Sequence, residues 1–200
     1  MLRSDKMRRV LFVTVFTSLL FAQEETPTFG ISVYLSAGLT GQIYAIKENS
    51  KKLPDFKKLK PIGTIYTYSL AVPARDFMEG FPGLSDRLEW FAIDYTGKFW
   101  IEAPGYYRFI LTSDDGSRLY VDDKQVIDND GLHAPESASG IVNLKGGSHS
   151  IRVSYFQGPR FHVALTLDVV GPDGMQRPFN TQEFKPPADP DDWEKKNTER

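Results

Sequence analysis

Two adjacent carboxylates are the residues whose type and spacing best fit a chemical role in this chain. Asp114 and Asp115 lie within a Ser-Asp-Asp-Gly-Ser run between two strongly apolar segments. Neighbouring carboxylates repel each other unless water or a cation neutralises them, and Ca²⁺ is a hard cation that takes oxygen ligands. Side chains of an extended chain alternate between faces, so both carboxylates can bind one ion only if the backbone turns sharply. The alternative interpretation is a solvated Asp-Asp-Gly hairpin turn.

A second polar loop supplies oxygen donors of the same kind. It runs from Tyr155 to Arg160 and joins two β-like segments. Gln157 offers an amide oxygen, and Gly158 offers a backbone carbonyl without a side chain in front of it; both suit calcium. The alternative here is a bulge with an exposed glutamine.

The remaining motifs do not point to catalysis. Residues 128–131 (Asp-Asn-Asp-Gly) begin like an EF-hand calcium loop, but the acidic closing residue is missing, so they are interpreted as a turn at a strand end. Three scattered histidines do not predict a zinc site. Nucleophile elbows, phosphate-binding loops and zinc-protease motifs are absent from the sequence, and without cysteine no thiol nucleophile exists. We therefore predict that the protein is not an enzyme; the alternative is a carboxylate pair for glycoside hydrolysis among Glu89, Asp94 and Glu102.

The N-terminus and the composition place the chain among exported single-domain proteins. Residues 1–22 carry a basic start and an apolar run that ends at Ala22, which predicts a signal peptide and a secreted, cell-surface or periplasmic location. An uncleaved anchor is the alternative; once the signal is removed, no membrane span is expected. Two hundred residues suffice for one domain, and a net charge of −2 does not suit a general nucleic-acid binder. Disulfides are impossible because the chain has no cysteine.

Short β-like segments separated by Gly, Asp, Asn and Pro turns must position the polar loops. Their spacing, without a long amphipathic helix among them, predicts an all-β antiparallel sandwich or barrel. Residues 47–60 are predicted to form a loop with at most one helical turn. The expected strands cover residues 29–35, 90–95, 98–103, 106–113, 118–121, 125–127, 140–144, 149–156 and 161–170.

The stretch from Gly80 to about Val170 resembles the PA14 domain family, the module named after anthrax protective antigen. The resemblance is carried by Ser-Asp-Asp-Gly-Ser at 113–117 together with Tyr-Phe-Gln-Gly-Pro at 155–159. Further matching text includes Trp-Phe-Ala-Ile-Asp-Tyr at 90–95, Val-Ile-Asp-Asn-Asp-Gly-Leu-His at 126–133 and Gly-Ser-His at 147–149. The resemblance implies an antiparallel β-sandwich or barrel of the PA14 type, with residues 29–34 as its first strand. The expected organisation is a signal peptide at 1–22, a leader at 23–28, a PA14 domain at 29–184 and a flexible tail at 185–200.

The resemblance also implies a function. In sugar-binding members the Asp pair is joined by a cis peptide and binds calcium, and a later loop adds oxygens; these positions match Asp114, Asp115, Gln157 and the Gly158 carbonyl. Sugar hydroxyls would complete the coordination of the Ca²⁺ cofactor. Residues on the rim of the ligand site are expected to be Arg160, His133 and His162.

A secreted calcium-dependent lectin or adhesin module that binds carbohydrate is therefore the leading hypothesis. The alternative is a structural or assembly module whose calcium only orders loops. The tail could contact a partner protein. Trp90, Trp100, Tyr106 and Tyr107 are assigned to the core rather than to a sugar-stacking surface.

Overall fold

The computed structural model describes residues 38–84 and 88–187. The expected signal peptide, the leader, the strand at 29–35 and most of the tail lie outside these residues. Within the described part, no helix is long and apolar enough to cross a bilayer.

The described chain is built almost entirely from β-strands. Two single-turn 3₁₀ helices, Phe56–Lys58 and Phe77–Glu79, interrupt them. The strands are β1 (Leu39–Ala45), β2 (Gly63–Thr67), β3 (Ala71–Asp76), β4 (Phe91–Ile101), β5 (Gly105–Asp114), β6 (Ser117–Val121), β7 (Lys124–Asn129), β8 (Glu136–Leu144), β9 (Gly147–Gln157), β10 (His162–Val170) and β11 (Gln176–Pro178).

The strands form two antiparallel sheets. One has six strands in the order β2-β1-β4-β9-β6-β7. The other has the order β11-β10-β5-β8, with β3 also paired to β10. This arrangement confirms the predicted all-β antiparallel class, since every registered strand pair runs antiparallel.

The core lies on the inward positions of the long strands, where alternation gives each strand one apolar face. The β4 strand buries Phe91, Ile93 and Tyr95, while Asp94 between them is only half-buried. Four phenylalanines from three parts of the chain pack edge-on or stacked at one end of this core: Phe99, Phe109, Phe179 and Phe184.

The predicted separation of the strands at 90–95 and 98–103 is wrong, because β4 runs through Gly97 without interruption. Gly97 is needed for a close approach and not for a turn: a Cβ atom there would lie 2.7 Å from the carbonyl oxygen of Gly38. The glycine lets β1 pair tightly against β4. A glycine in a strand can mark such contact as well as a boundary.

The assignment of Tyr106 to the core is also wrong. Its neighbour Tyr107 is buried, but the Tyr106 side chain is 69% exposed. Both lie on β5, where successive side chains point to opposite faces of the sheet. Two adjacent tyrosines in a strand of a two-layer sandwich therefore cannot both enter the core.

Residues 47–60 form the loop with one helical turn that the sequence predicts. Asp55 caps the turn by accepting a hydrogen bond from the Lys57 amide. The loop is tied to the sandwich by the Leu53 amide, which donates to Asp130 Oδ1 at 2.8 Å. Its lysines are exposed, as expected of a solvated surface.

Candidate functional site

Three connections meet at one end of the sandwich and bring the predicted site residues together. The β5 strand ends at Asp114, β9 ends at Gln157, and β7 ends at Asn129. Register and hydrogen bonds bring these ends together. Ser117 at the start of β6 lies opposite both Asn129 and Tyr155, and the Asp115 carboxylate binds backbone amides of the loops after β7 and β9. The loops after β5, β7 and β9 are therefore neighbours in space, although the sequence separates them.

The two aspartates are buried at this end. Asp114 is 6% exposed and Asp115 is 4% exposed, and the peptide bond between them is cis, as the resemblance implies. The Asp115 carboxylate accepts a hydrogen bond from the Gly158 amide at 2.7 Å and another from the His133 amide at 3.2 Å. Within the described residues, neither carboxylate forms an ion pair with a lysine or an arginine. This is not the solvated hairpin turn of the alternative interpretation.

Burial and mutual repulsion make these carboxylates hold protons more strongly than usual. Desolvation, followed by the charge of Asp115, raises the pKa of Asp114 to about 6, against smaller opposing effects of His162, His133 and a Gln157 hydrogen bond. Desolvation also raises the pKa of Asp115, although its hydrogen bonds from the Gly158 and His133 amides act in the opposite direction. Two buried carboxylates with raised pKa values favour either protonation or a bound cation.

Gln157 is fully buried, and its amide contacts both sides of the site. Its Oε1 accepts a hydrogen bond from the Tyr155 hydroxyl at 2.5 Å, and its Nε2 donates to the His162 carbonyl at 3.1 Å. The alternative of an exposed glutamine on a bulge is therefore wrong. The Gly158 backbone lies against the pair, since a Cβ atom on Gly158 would be 3.0 Å from Asp115 Oδ2.

The three predicted rim residues occupy different environments. Both His133 and His162 lie close enough for their charges to act on Asp114. Both ring nitrogens of His133 contact backbone carbonyls, those of Asn129 and Ala134, at 3.0 Å. Arg160 instead pairs with Glu89 at 3.3 Å and is largely exposed, so its place beside the carboxylates remains a prediction.

The Asp-Asn-Asp-Gly segment forms the predicted strand-end turn, and its carboxylates bind an arginine. Arg118 contacts Asp128 at 2.9 Å and Asp130 at 3.1 Å. Over residues 38–84 and 88–187, no three His, Cys, Asp or Glu side chains converge as a metal-binding group. A calcium site at Asp114 and Asp115 would therefore take its other donors from amide and carbonyl oxygens.

A layer of buried polar side chains behind the aspartates was missed by the sequence analysis. Ser113 and Ser117 hydroxyls share a hydrogen bond of 2.7 Å, and Asn129 Nδ2 donates to Ser113 at 3.1 Å. The Tyr155 hydroxyl donates to the Asp114 carbonyl at 2.7 Å. The signal available was a serine at an inward position of an apolar strand, where a core residue would be expected.

Comparison with known proteins identifies the family. The PA14 domain model matches residues 36–181. Among solved structures, the PA14 sugar-binding domain from an RTX adhesin aligns with a TM-score of 0.60 and 19% identity, over 73% of this chain and 96% of that chain. An adhesin A domain from Candida glabrata, in complex with Galβ1-3GlcNAc, aligns with a TM-score of 0.53 and 12% identity, over 74% and 88%. These likenesses confirm the PA14-type sandwich.

A third solved structure shows the fold within a larger chain. An anti-sigma factor domain-containing protein aligns with a TM-score of 0.59 and 22% identity over 77% of this chain. The alignment spans half of that protein. No curated protein matches the chain significantly.

Proposed function

Because this chain belongs to the PA14 domain family, we propose that it is a secreted, calcium-dependent carbohydrate-binding module. One observation carries the proposal: Asp114 and Asp115 bury two carboxylates side by side, and no lysine or arginine of the described residues neutralises them. A buried charge without a partner costs several kcal/mol in general. A bound divalent cation offsets that cost.

The surrounding oxygens suit calcium. Asp114 and Asp115 would be joined by the Gly158 carbonyl and by Gln157 Oε1, giving the mixed carboxylate, amide and carbonyl set that Ca²⁺ accepts. The Tyr155 hydroxyl has a single proton and two acceptors, Gln157 Oε1 and the Asp114 carbonyl. When it donates to the carbonyl, the amide oxygen keeps its lone pairs for a metal.

We propose that this site recognises a sugar, because sugar-binding domains occur among the similar PA14 structures. Calcium takes six to eight ligands in general, so an ion held by this set would offer open positions to vicinal sugar hydroxyls. Two of the similar structures are named as a sugar-binding domain and as an adhesin with a bound disaccharide. Those names belong to those proteins, and they support a carbohydrate ligand here.

Binding rather than catalysis is proposed because the carboxylates do not form a hydrolytic pair. Asp94 lies within β4 and Glu102 directly follows its last residue, so eight positions of extended chain separate them, which corresponds to about 26 Å at the usual rise per residue. Glycosidase carboxylates lie roughly 5–10 Å apart. Glu89 is paired with Arg160.

Export of the protein is supported by the sequence of residues 1–22, which has the features of a signal peptide. Action at the cell surface, in the periplasm or outside the cell follows from that proposal. A partner protein that contacts the tail stays a prediction from sequence.

The test is glycan-array binding by the purified protein, in millimolar calcium and in excess chelator. We expect binding that chelator abolishes. Asp114→Asn and Asp115→Asn should lose it, and should also lose calcium binding in calorimetry. Asp123→Asn is the matched control, since Asp122 and Asp123 form a second adjacent pair that is exposed at the β6–β7 turn. Binding that survives chelator would contradict the proposal.

A structural role for calcium is a second candidate, and the contacts of Asp115 favour it. This one carboxylate joins the loops after β7 and β9 through the amides of His133 and Gly158. An ion there would order all three connections. Calcium that raises the melting temperature while no glycan binds would select this candidate over the lectin.

A further inference from the structure

Three exposed apolar side chains lie on the loops around the buried aspartates or on a turn that contacts one of those loops. Phe161 is 81% exposed, Met78 is 75% exposed and Leu132 is 41% exposed. Phe161 has the highest exposure among the large hydrophobic residues that are exposed in the described part of the chain. We refer to these three side chains as the apolar rim. Single exposed hydrophobic residues need no explanation, but several at a site with buried polar groups do.

Contacts bring the segments that carry the apolar rim close to the loop that binds Asp115. The Phe77 amide donates to the Phe161 carbonyl at 3.2 Å, which places the turn that carries Met78 next to Phe161. In the loop after β7, Leu132 lies near Gly158, since a Cβ atom on Gly158 would be 2.7 Å from Leu132 Cδ2. Since Gly158 also contacts Asp115, Leu132 and the Asp115 carboxylate both lie against Gly158.

The backbone of Phe161 is held in a conformation that a residue with a side chain rarely adopts. Its φ is +148°. The adjacent His162 carbonyl is bound by the buried Gln157 amide, so both ends of the loop at 157–162 are secured. The backbone that carries the exposed Phe161 ring is therefore less free than that of an ordinary surface loop.

We propose that Phe161 is a specificity-determining residue whose ring stacks on the apolar face of a pyranose while the sugar hydroxyls bind at Asp114 and Asp115. The inference rests on the proposed carbohydrate-binding function and names its ligand class: ring-form sugars with a C–H face, in preference to open-chain polyols with the same hydroxyls. An aromatic face beside a few placed polar groups is the usual composition of a small-molecule site.

The test compares Phe161→Ala with the wild-type protein on matched pairs of ligands. The ligands are the methyl pyranosides of galactose, glucose, mannose and fucose, each with its alditol, titrated in millimolar calcium by NMR. Loss of the ring should weaken pyranoside binding about five- to tenfold and leave alditol binding unchanged, since stacking contributes up to about one factor of ten. Phe161→Tyr keeps the ring and should bind as the wild type does.

Two controls separate this inference from a general loss of the site. Ile141→Ala removes an exposed apolar side chain of β8, 66% exposed, and should change nothing. Calcium affinity of Phe161→Ala, measured by calorimetry, should equal that of the wild type.

The outcomes are distinguishable. If Phe161→Ala binds the pyranosides as tightly as the wild type while Asp114→Asn does not bind them, the stacking role is wrong and the proposed function stands. An equal loss for pyranosides and alditols would also overturn the stacking role. If the wild type binds none of the eight ligands with calcium present, the proposed function and this inference fail together.

Discussion

Calcium should stabilise this protein strongly at neutral pH and weakly at pH 5. Buried Asp114 has a pKa of about 6 in the metal-free fold, raised first by desolvation and then by Asp115. A carboxylate must lose its proton to bind calcium. At pH 5 about nine-tenths of Asp114 is protonated, so the apparent Kd for calcium should be about tenfold higher than at pH 7.5, as follows from one displaced proton.

The metal-free protein should show the opposite trend in stability. The pKa of Asp114 is raised above its unfolded value, so its contribution to stability is fully present below about pH 4 and is lost as pH rises through about 6. Protonation of His133 should also weaken calcium binding at low pH. Desolvation lowers the pKa of His133, but hydrogen bonds to the Asn129 and Ala134 carbonyls raise it by more, so the pKa is raised overall. Its positive charge at low pH lies beside Asp115.

The assay is the difference in melting temperature between millimolar calcium and chelator, measured at several pH values from 5 to 7.5. We expect this difference to grow as pH rises through 6 and to vanish at every pH in Asp114→Asn. A difference that is constant over this range, or larger at pH 5, would refute the assignment of calcium to Asp114.

Three further predictions concern the metal-free fold. Tyr155→Phe removes a buried hydroxyl that lies 2.7 Å from the Asp114 carbonyl oxygen and 2.5 Å from Gln157 Oε1, and should lower the free energy of unfolding in urea by about 1–3 kcal/mol. Gly140→Ala should destabilise the protein by more than about 1 kcal/mol, because its Cβ atom would lie 2.2 Å from the Val126 carbonyl oxygen. Asp130→Ala should speed hydrogen exchange of the Leu53 amide, which Asp130 binds at 2.8 Å.

The changes at Tyr155 and Asp130 each have a control in the same chain. Tyr106→Phe removes an exposed hydroxyl and should leave the free energy of unfolding within about 0.5 kcal/mol of the wild type. Asp128→Ala removes the other carboxylate that binds Arg118 and should leave exchange of the loop at residue 53 unchanged. A Gly140→Ala protein as stable as the wild type would contradict the close approach of β7 and β8.

The class of fold could be predicted because its signal is local. Alternation along β9 and β10 places apolar side chains on one face, and turn residues mark most strand ends. Gly97 shows where that signal is ambiguous: the same residue marks a turn or a close contact, and only the position of β1 decides which.

The donors of the candidate site were also visible in sequence, since Asp114, Asp115, Gln157 and Gly158 are hard oxygen donors in polar loops. Residue types alone do not show that these donors lie close together. That expectation came from the resemblance to a family. Gln157 is an example. Its residue type identifies an oxygen donor, but only the structure shows that its amide binds both the Tyr155 hydroxyl and the His162 carbonyl.

The sequence by itself therefore determined the β-class, the inward and outward faces of the strands and the identity of the oxygen donors, since each depends on residue type and on a spacing of two. The tertiary structure alone decided which strand ends are neighbours, that the aspartates are buried without a lysine or arginine partner among the described residues, and that Phe161 is exposed on the loop that contacts Asp115. These features depend on contacts between residues far apart in the chain, and a period of two along a strand carries no information about which strand lies next to it.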